Sequence, residues 1–321
     1  MTDLPSIGVL TAQEVASILQ VNRNTVYNLA KTGALPSYNV GRKLRFSLDD
    51  VQAFIEASKN ARRAVAAPAA GRGDTTDAGG TPSSGGATPG AFIIGGRDMT
   101  LDILANLLSA AGVHALRSYR SGHQELTSLY LGDVQAAAVH LWDGSTDTYN
   151  LPYVKRLVPG TPVVVLHLAT RWQGLLSRKN DRHGVRTWSD LVHEPVVLAN
   201  REKGSGSRVL LDERLRLLEA DPFAIEGYDR EIVSDLAQGT LIARGDADVG
   251  LGTERVFHQI EGLDYRPLQR ERLALVVAKT PATRRTIRTL RGLLTSDLLR
   301  RELIALSGYD FSHMGAKLYE T

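Results

Sequence analysis

The amino-acid sequence predicts an α/β protein with a small helical unit placed ahead of a large mixed one, on three observations. Residues 91–321 alternate strand-like and helix-like segments, the pattern of layered β and α structure. Residues 8–58 show short helices interrupted by a hairpin. Between them, residues 64–90 hold seven Gly, seven Ala, three Pro and six Ser/Thr, with Val65 the one larger aliphatic. Such a stretch has too little apolar surface to offset its ordering entropy. It reads as a flexible linker with an r.m.s. span of roughly 30 Å. The 321 residues thus divide into 1–63, 64–90 and 91–321.

Composition excludes several function classes. Hydrophobic residues at 43% and charged residues at 23% are globular values. With no cysteine there is no disulfide, thiolate zinc site, iron–sulfur cluster or cysteine nucleophile. The eight histidines show no metal-ligand spacing, so no metal site is expected. The longest aliphatic run in a strand-like segment is residues 163–166, far short of the ~20 residues of a membrane span. The first residues, MTDLPSIGVLTAQEV, lack a basic region followed by an apolar block, so a cytoplasmic protein without a signal peptide is expected. Net charge is +3, and residues 1–63 alone supply +3, from eight Lys/Arg against five Asp/Glu. The positive excess sits where a nucleic-acid footprint would use it.

In the small unit, Thr11-Ala-Gln-Glu14 fits a capping box. Val15, Ile18 and Leu19 follow at helical spacing as an apolar face. A second helix, about residues 23–31, turns Val26, Leu29 and Ala30 inward and ends at Gly33. Residues 35–46 alternate about a Gly41-Arg42 turn, as a two-stranded wing would. Ser47 to Asp50 then cap a third helix that buries Val51, Phe54 and Ile55. The run LTAQEVASILQVNRNTVYNLAKTGALPSYNVGRKLRFSLDDVQAFI resembles the winged helix-turn-helix of excisionases and mercury-resistance regulators. The resemblance implies double-stranded DNA as partner. The second helix would present Arg23, Asn24, Thr25, Tyr27, Asn28 and Lys31 to a major groove, a mixture of phosphate binders and base-edge readers. Arg42, Lys43 and Arg45 on the wing would meet phosphates or a minor groove. The competing reading is a protein-interaction module with a solvated basic face.

In the large unit, strands are expected at 91–95, 115–119, 136–141, 163–169, 196–200, 231–234, 247–251 and 273–279. Helices are expected at 100–111, from about 124, at 207–218 and 236–244, and through the C-terminal part. This alternation argues for parallel sheets. The segments IIGGRDMTLDILANLL, SGHQELTSLYLGDVQAAAVHLWD, YNLPYVKRLV, VVLHLATRWQGLLSRKN, VLANREKGSGSRVLLDERL, ARGDADVGLGTE and ALSGYDFS are similar to the type II periplasmic-binding-protein fold. Within it, they resemble the cytoplasmic domain found in helix-turn-helix regulators and in molybdopterin-biosynthesis proteins. The resemblance implies two lobes, about 91–170 plus 268–321 and about 171–267, that close on a ligand by a hinge.

Gly204-Ser205-Gly206-Ser207-Arg208 follows an apolar strand and opens a helix, so free amides, two hydroxyls and a guanidinium could cradle an anion. Ser121-Gly122 precedes another helix, and Asp98 and Thr100 follow the first strand. His140, Trp142 and Asp143 leave a strand end, where open α/β sheets present ligand contacts. Tyr149 belongs to a lid or rim, and Asp248 to the cleft or hinge. Each has a plainer alternative: the serines, Asp98 and Thr100 as helix caps, Arg208 paired with Asp212, Trp142 in the core.

The assembled expectation is a one-component transcription regulator, dimeric, with no catalytic cofactor. Its anionic effector would be molybdate, tungstate or the molybdenum cofactor, as the resemblance implies. For the extended cofactor, Arg201 and Lys203 would add basic contacts. The alternative is a lyase or transferase on the same fold, with His140 and Asp143 as acid and base and the small unit as an accessory module.

Overall fold

The computed structural model describes residues 9–19, 26, 30, 35–40, 43–47, 50–51, 90–180 and 183–321. The chain divides into two compact units, Met1–Thr81 and Pro82–Thr321.

In the small unit, β1 (Val9–Thr11) leads into α1 (Ala12–Leu19), and β2 (Tyr38–Val40) and β3 (Lys43–Ser47) form the hairpin. The three strands make an antiparallel sheet in the order β1-β3-β2. The expected capping box is present: Glu14 accepts the Thr11 amide at 2.7 Å, and the Thr11 hydroxyl accepts the Glu14 amide at 3.3 Å. Ala12, Val15 and Ala16 supply the buried face of α1, packed with Val26, Leu35, Phe46 and Val51. Ile18, expected inward, is exposed, because the face is set one turn earlier by the two alanines. β1 was not expected. Three residues carry no readable alternation, and the partner β3 lies over thirty residues away. Residues 64–89 of the expected linker lie outside the described residues, as do Leu29, Gly33, Gly41, Phe54 and Ile55.

The large unit starts with β4 (Phe92–Gly95), α2 (Thr100–Ala110), β5 (Ala115–Ser118), α3 (Gly122–Leu131) and β6 (Ala136–Val139). β4 lies parallel to both β5 and β6. A small hairpin, β7 (Trp142–Asp143) and β8 (Thr148–Tyr149), precedes α4 (Leu151–Leu157). Then β9 (Val163–Arg178) runs 16 residues, about 50 Å, out of this first lobe and into a second. The second lobe holds α5 (Asp190–His193), β10 (Asn200–Arg201), α6 (Gly206–Leu217), β11 (Glu231–Ile232), α7 (Asp235–Arg244), β12 (Val249–Thr253) and α8 (Glu254–Gln259). β13 (Leu263–Ala278), also 16 residues, returns antiparallel to β9. The chain then adds α9 (Arg284–Leu294), α10 (Asp297–Leu303), β14 (Tyr309–Asp310) and β15 (Lys317–Glu320) to the first lobe.

Four apolar clusters define the lobes. Val164, Leu166 and Leu275 pack beneath α2, α9 and α10, while Val163, Val165 and Val276 pack on the other face with Leu126 and Val139. In the second lobe, Leu175 packs with Leu198, Leu210 and Leu251, and its neighbour Leu176 packs oppositely with Ile242 and Val256. Successive residues of one strand thus feed opposite cores, as the two-residue period requires.

Between the lobes the two long strands turn polar: Thr170, Arg171, Trp172 and Gln173 on β9 face Gln269, Arg270, Glu271 and Arg272 on β13. A bulge brackets this waist at each end. Leu268 is the extra residue on β13 at one, and Leu168 is the extra residue on β9 at the other.

Three expectations need correction. The sheet is mixed, because β13 is antiparallel to both β6 and β9. The expected strand at 196–200 reduces to Asn200–Arg201 plus a single bridge between Leu198 and Val249. The tail after α10 forms strands β14 and β15 on β9, not helices.

Candidate ligand cleft

The first lobe, the second lobe and the waist meet at a small cavity of about 50 Å³. Helix starts converge on it. Ser121 and Gly122 open α3, Ser205 to Ser207 open α6, Asp235 opens α7, and Thr253 opens α8. Each such start brings free amides and the positive end of a helix dipole. The resulting surface is complementary to negative charge.

Arg171, from the middle of β9, organises the floor. Its guanidinium bonds Asp98 at 2.6 Å and the Tyr309 hydroxyl at 3.1 Å, and it pairs directly with Glu271. Glu271 also holds His140 Nδ1 at 3.0 Å. Burial alone would raise the Glu271 carboxyl, but Arg171 and His140 overrule it and pull it down to about 2. Asp98 follows the same logic. Burial opposes its charge, yet Arg171, Thr100 and Tyr309 hold it below the usual carboxylate range. Both acids are therefore ionised and fully engaged.

The remaining acids are also tied. Glu202 pairs with Arg97 and Arg201, and Asp235 pairs with Arg201. Arg97 crosses from the first lobe to the second, where it also donates to the Val233 carbonyl at 2.9 Å. A second crossing runs from the His123 amide to the Gly204 carbonyl, 3.1 Å. The lobes are closed on each other.

Some polar groups are left over. Ser121 Oγ and Arg255 Nε are buried with no hydrogen-bond partner. Arg120 bonds the Ser128 hydroxyl at 2.6 Å and forms no ion pair with a described residue. Gly206 permits the closest approach. A Cβ there would run into His140 Nδ1, so only glycine lets the imidazole lie against the start of α6.

Of the residues singled out by sequence, Asp98, Ser121, Gly122, His140, Arg201, Ser205, Gly206 and Ser207 line this cavity. Gly204 sits behind Ser121, with positive φ of 86°. Thr100 is buried and spends its hydroxyl on Asp98 at 2.6 Å. Six others are not brought in. Arg208 turns away to pair with Asp212 at 2.8 Å and stacks over Tyr228, since their four-residue spacing puts both on one helix face. Trp142 is core, under Arg214. Asp143 accepts the Ser145 and Thr146 amides and pairs with Arg156, so it and His140 serve separate partners. Tyr149 bonds Gln269 on the far side of the waist, and Asp248 accepts the Val197 amide. Lys203 bonds Glu231 through its amide only and does not line the cavity.

Sequence reading missed Arg97, Arg120, Arg171, Glu202, Asp235, Thr253 and Arg255 on the lining, and Glu271 beneath it. Of the expected DNA contacts, Arg23, Asn24, Thr25, Tyr27, Asn28, Lys31 and Arg42 lie outside the described residues. Lys43 and Arg45 lie on β3, and Arg45 stands opposite Thr11 and Tyr38.

Residues 105–295 match a family model described as a PBP superfamily domain, and residues 9–59 match one described as a helix-turn-helix domain. The uncharacterized protein YvgK of Bacillus subtilis is 32% identical over 312 residues, which is 97% of this chain and 98% of that one. A Clostridium pasteurianum protein, described as lying in the 5' region of a ferredoxin 2Fe-2S gene, is 41% identical over 107 residues, 33% of this chain and 95% of its own. Among solved structures, the Synechocystis CcmR regulatory domain in complex with 2-PG aligns with a TM-score of 0.47 at 11% identity, over 64% of this chain and 98% of that one.

Proposed function

This chain belongs to the PBP superfamily and carries a helix-turn-helix domain ahead of that fold, and from this premise we propose a one-component DNA-binding regulator whose effector is molybdate or tungstate. The observation that carries the reading is the size and chemistry of the closed cleft. Its 50 Å³ leaves room for a small ligand and not for an extended one. An extended pterin cofactor would require the lobes to stand apart.

Donors outnumber free acceptors there. Helix-start amides, the Ser121 hydroxyl, and the Arg120 and Arg255 guanidiniums remain for a ligand, while every carboxylate is held by an arginine. A wall of donors favours a fully deprotonated dianion over hydrogen phosphate, whose own proton needs an acceptor. Ligand that bridges both lobes stabilises the closed arrangement. It controls DNA affinity to the extent that paired chains present their helix-turn-helix domains differently in that arrangement.

A thermal-shift screen of the full chain with molybdate, tungstate, sulfate and phosphate tests this. A ligand at ~100 times its Kd adds about 2.7 kcal/mol of stability. The expected result is a rise with molybdate or tungstate well above that with phosphate, together with altered retention of DNA. An equal rise with phosphate, or none at all, would overturn the effector assignment.

A further inference from the structure

β13 crosses the waist with Glu271 turned into the cleft and Arg270 and Arg272 turned the other way. Those arginines open onto a second cavity of about 660 Å³, which shares no lining residue with the first. This volume falls in the range of pockets that hold small organic ligands, and a lone oxyanion would leave most of it to water.

Its charges are arranged unlike those of the cleft. The Arg272 side chain makes no hydrogen bond or ion pair with any described residue. Arg214 forms no ion pair with a described residue, although the Asp147 carboxylate lies near enough to favour its charge. It lies 4.1 Å over the Trp142 ring and bonds Gln269 Oε1 through Nε at 3.1 Å. Gln269 in turn donates to the Tyr149 hydroxyl at 2.8 Å. Burial and nearby Glu271 push the Tyr149 pKa up, so its O–H stays a donor. The acids on the lining are already occupied. Asp310 holds Arg270 at 2.9 Å, and Asp147 accepts the Trp142 indole N–H at 3.1 Å. Burial, His313 and Arg272 depress the His167 pKa, as expected where positive charge stands uncompensated.

We infer that this cavity behind the hinge binds a second effector, an organic anion carrying a phosphate or carboxylate group, held by Arg272, Arg214 and the Tyr149 hydroxyl. The site reaches Thr170 on β9, Gln269 on β13 and Arg214 on α6. The first turn of α6 supplies Ser207 to the cleft, so an anion at Arg214 bears on the same helix. Coupling between the two ligands would be reciprocal.

The test is calorimetric titration of the full chain, saturated with molybdate, using AMP, citrate and adenosine as probes. Binding of AMP or citrate at one per chain is expected, and adenosine should bind far more weakly than AMP. AMP alone would identify phosphate as the recognised group, and citrate alone carboxylate. Arg272→Gln, which disturbs no internal contact, should weaken the bound anion about tenfold, the loss of one charged hydrogen bond. Arg214→Gln should do so as well, whereas Ser207→Ala should weaken molybdate and leave the second anion in place. The proposal fails if neither anion binds at millimolar concentration, if adenosine matches AMP, or if Arg272→Gln changes nothing.

Discussion

Two cavities on opposite sides of the same pair of strands handle arginine differently. In the cleft, Arg171 is locked between Asp98 and Glu271, and its work is to hold the floor in one shape. Behind the hinge, the Arg272 side chain has no hydrogen-bond or ion-pair partner among the described residues. A paired arginine gives geometry and an unpaired one gives affinity, because only the second has charge left for a visitor.

The sharpest way to break that comparison is to remove each arginine. Arg171→Met strands two buried carboxylates and should cost about 3–5 kcal/mol in urea unfolding. Arg272→Gln should stay within about 0.5 kcal/mol, as surface changes do. Similar losses from the two would erase the distinction.

Acid should act next, at the buried carboxylates of the cleft. A carboxyl whose pKa falls on folding stabilises fully above its unfolded pKa of about 4.3, and that contribution disappears as pH drops through the folded value. For Glu271, the window runs from there down to about 2. The urea midpoint should therefore fall across it, and Glu271→Gln should flatten the profile while lowering the plateau.

Gly206→Ala is a smaller and more local change than the loss of Arg171. The new methyl meets His140, so the imidazole or the start of α6 must give way, at about 1–3 kcal/mol. Molybdate affinity should drop while binding behind the hinge stays as it was. Unchanged molybdate affinity would remove the His140–Gly206 contact from the account.

The same contrast explains what the sequence revealed. Helix-start signals are local, so Ser121-Gly122 and the 204–207 run were legible, as was the Thr11–Glu14 box. Pairings are not local. Arg171 and Glu271 stand 100 positions apart, and no spacing rule joins them. The two crossover strands were read at half their length for a related reason: their apolar alternation stops at TRWQ and QRER, where the chemistry begins. A charged gap flanked on both sides by β-branched or leucine-rich sequence was the signal available. Trp142 was assigned to the cleft because it follows a strand end, and Tyr149 as part of a lid or rim, but the β7–β8 hairpin carries Tyr149 to the far side.

The two bulges that bracket the waist lie on different strands, so each strand's alternation is interrupted at one end of the waist only: β13 runs unbroken from Gln269 into the first lobe, and β9 from Ala169 into the second. Substitutions at Glu271 and at Arg272 can retune one cavity at a time, because these two neighbours look in opposite directions. A one-residue deletion at Leu268 should remove the bulge and leave Gln269 to Arg272 opposite the same partners on β9, so the bulge is a place where this stretch can absorb a change in length without exchanging the two cavities' chemistry.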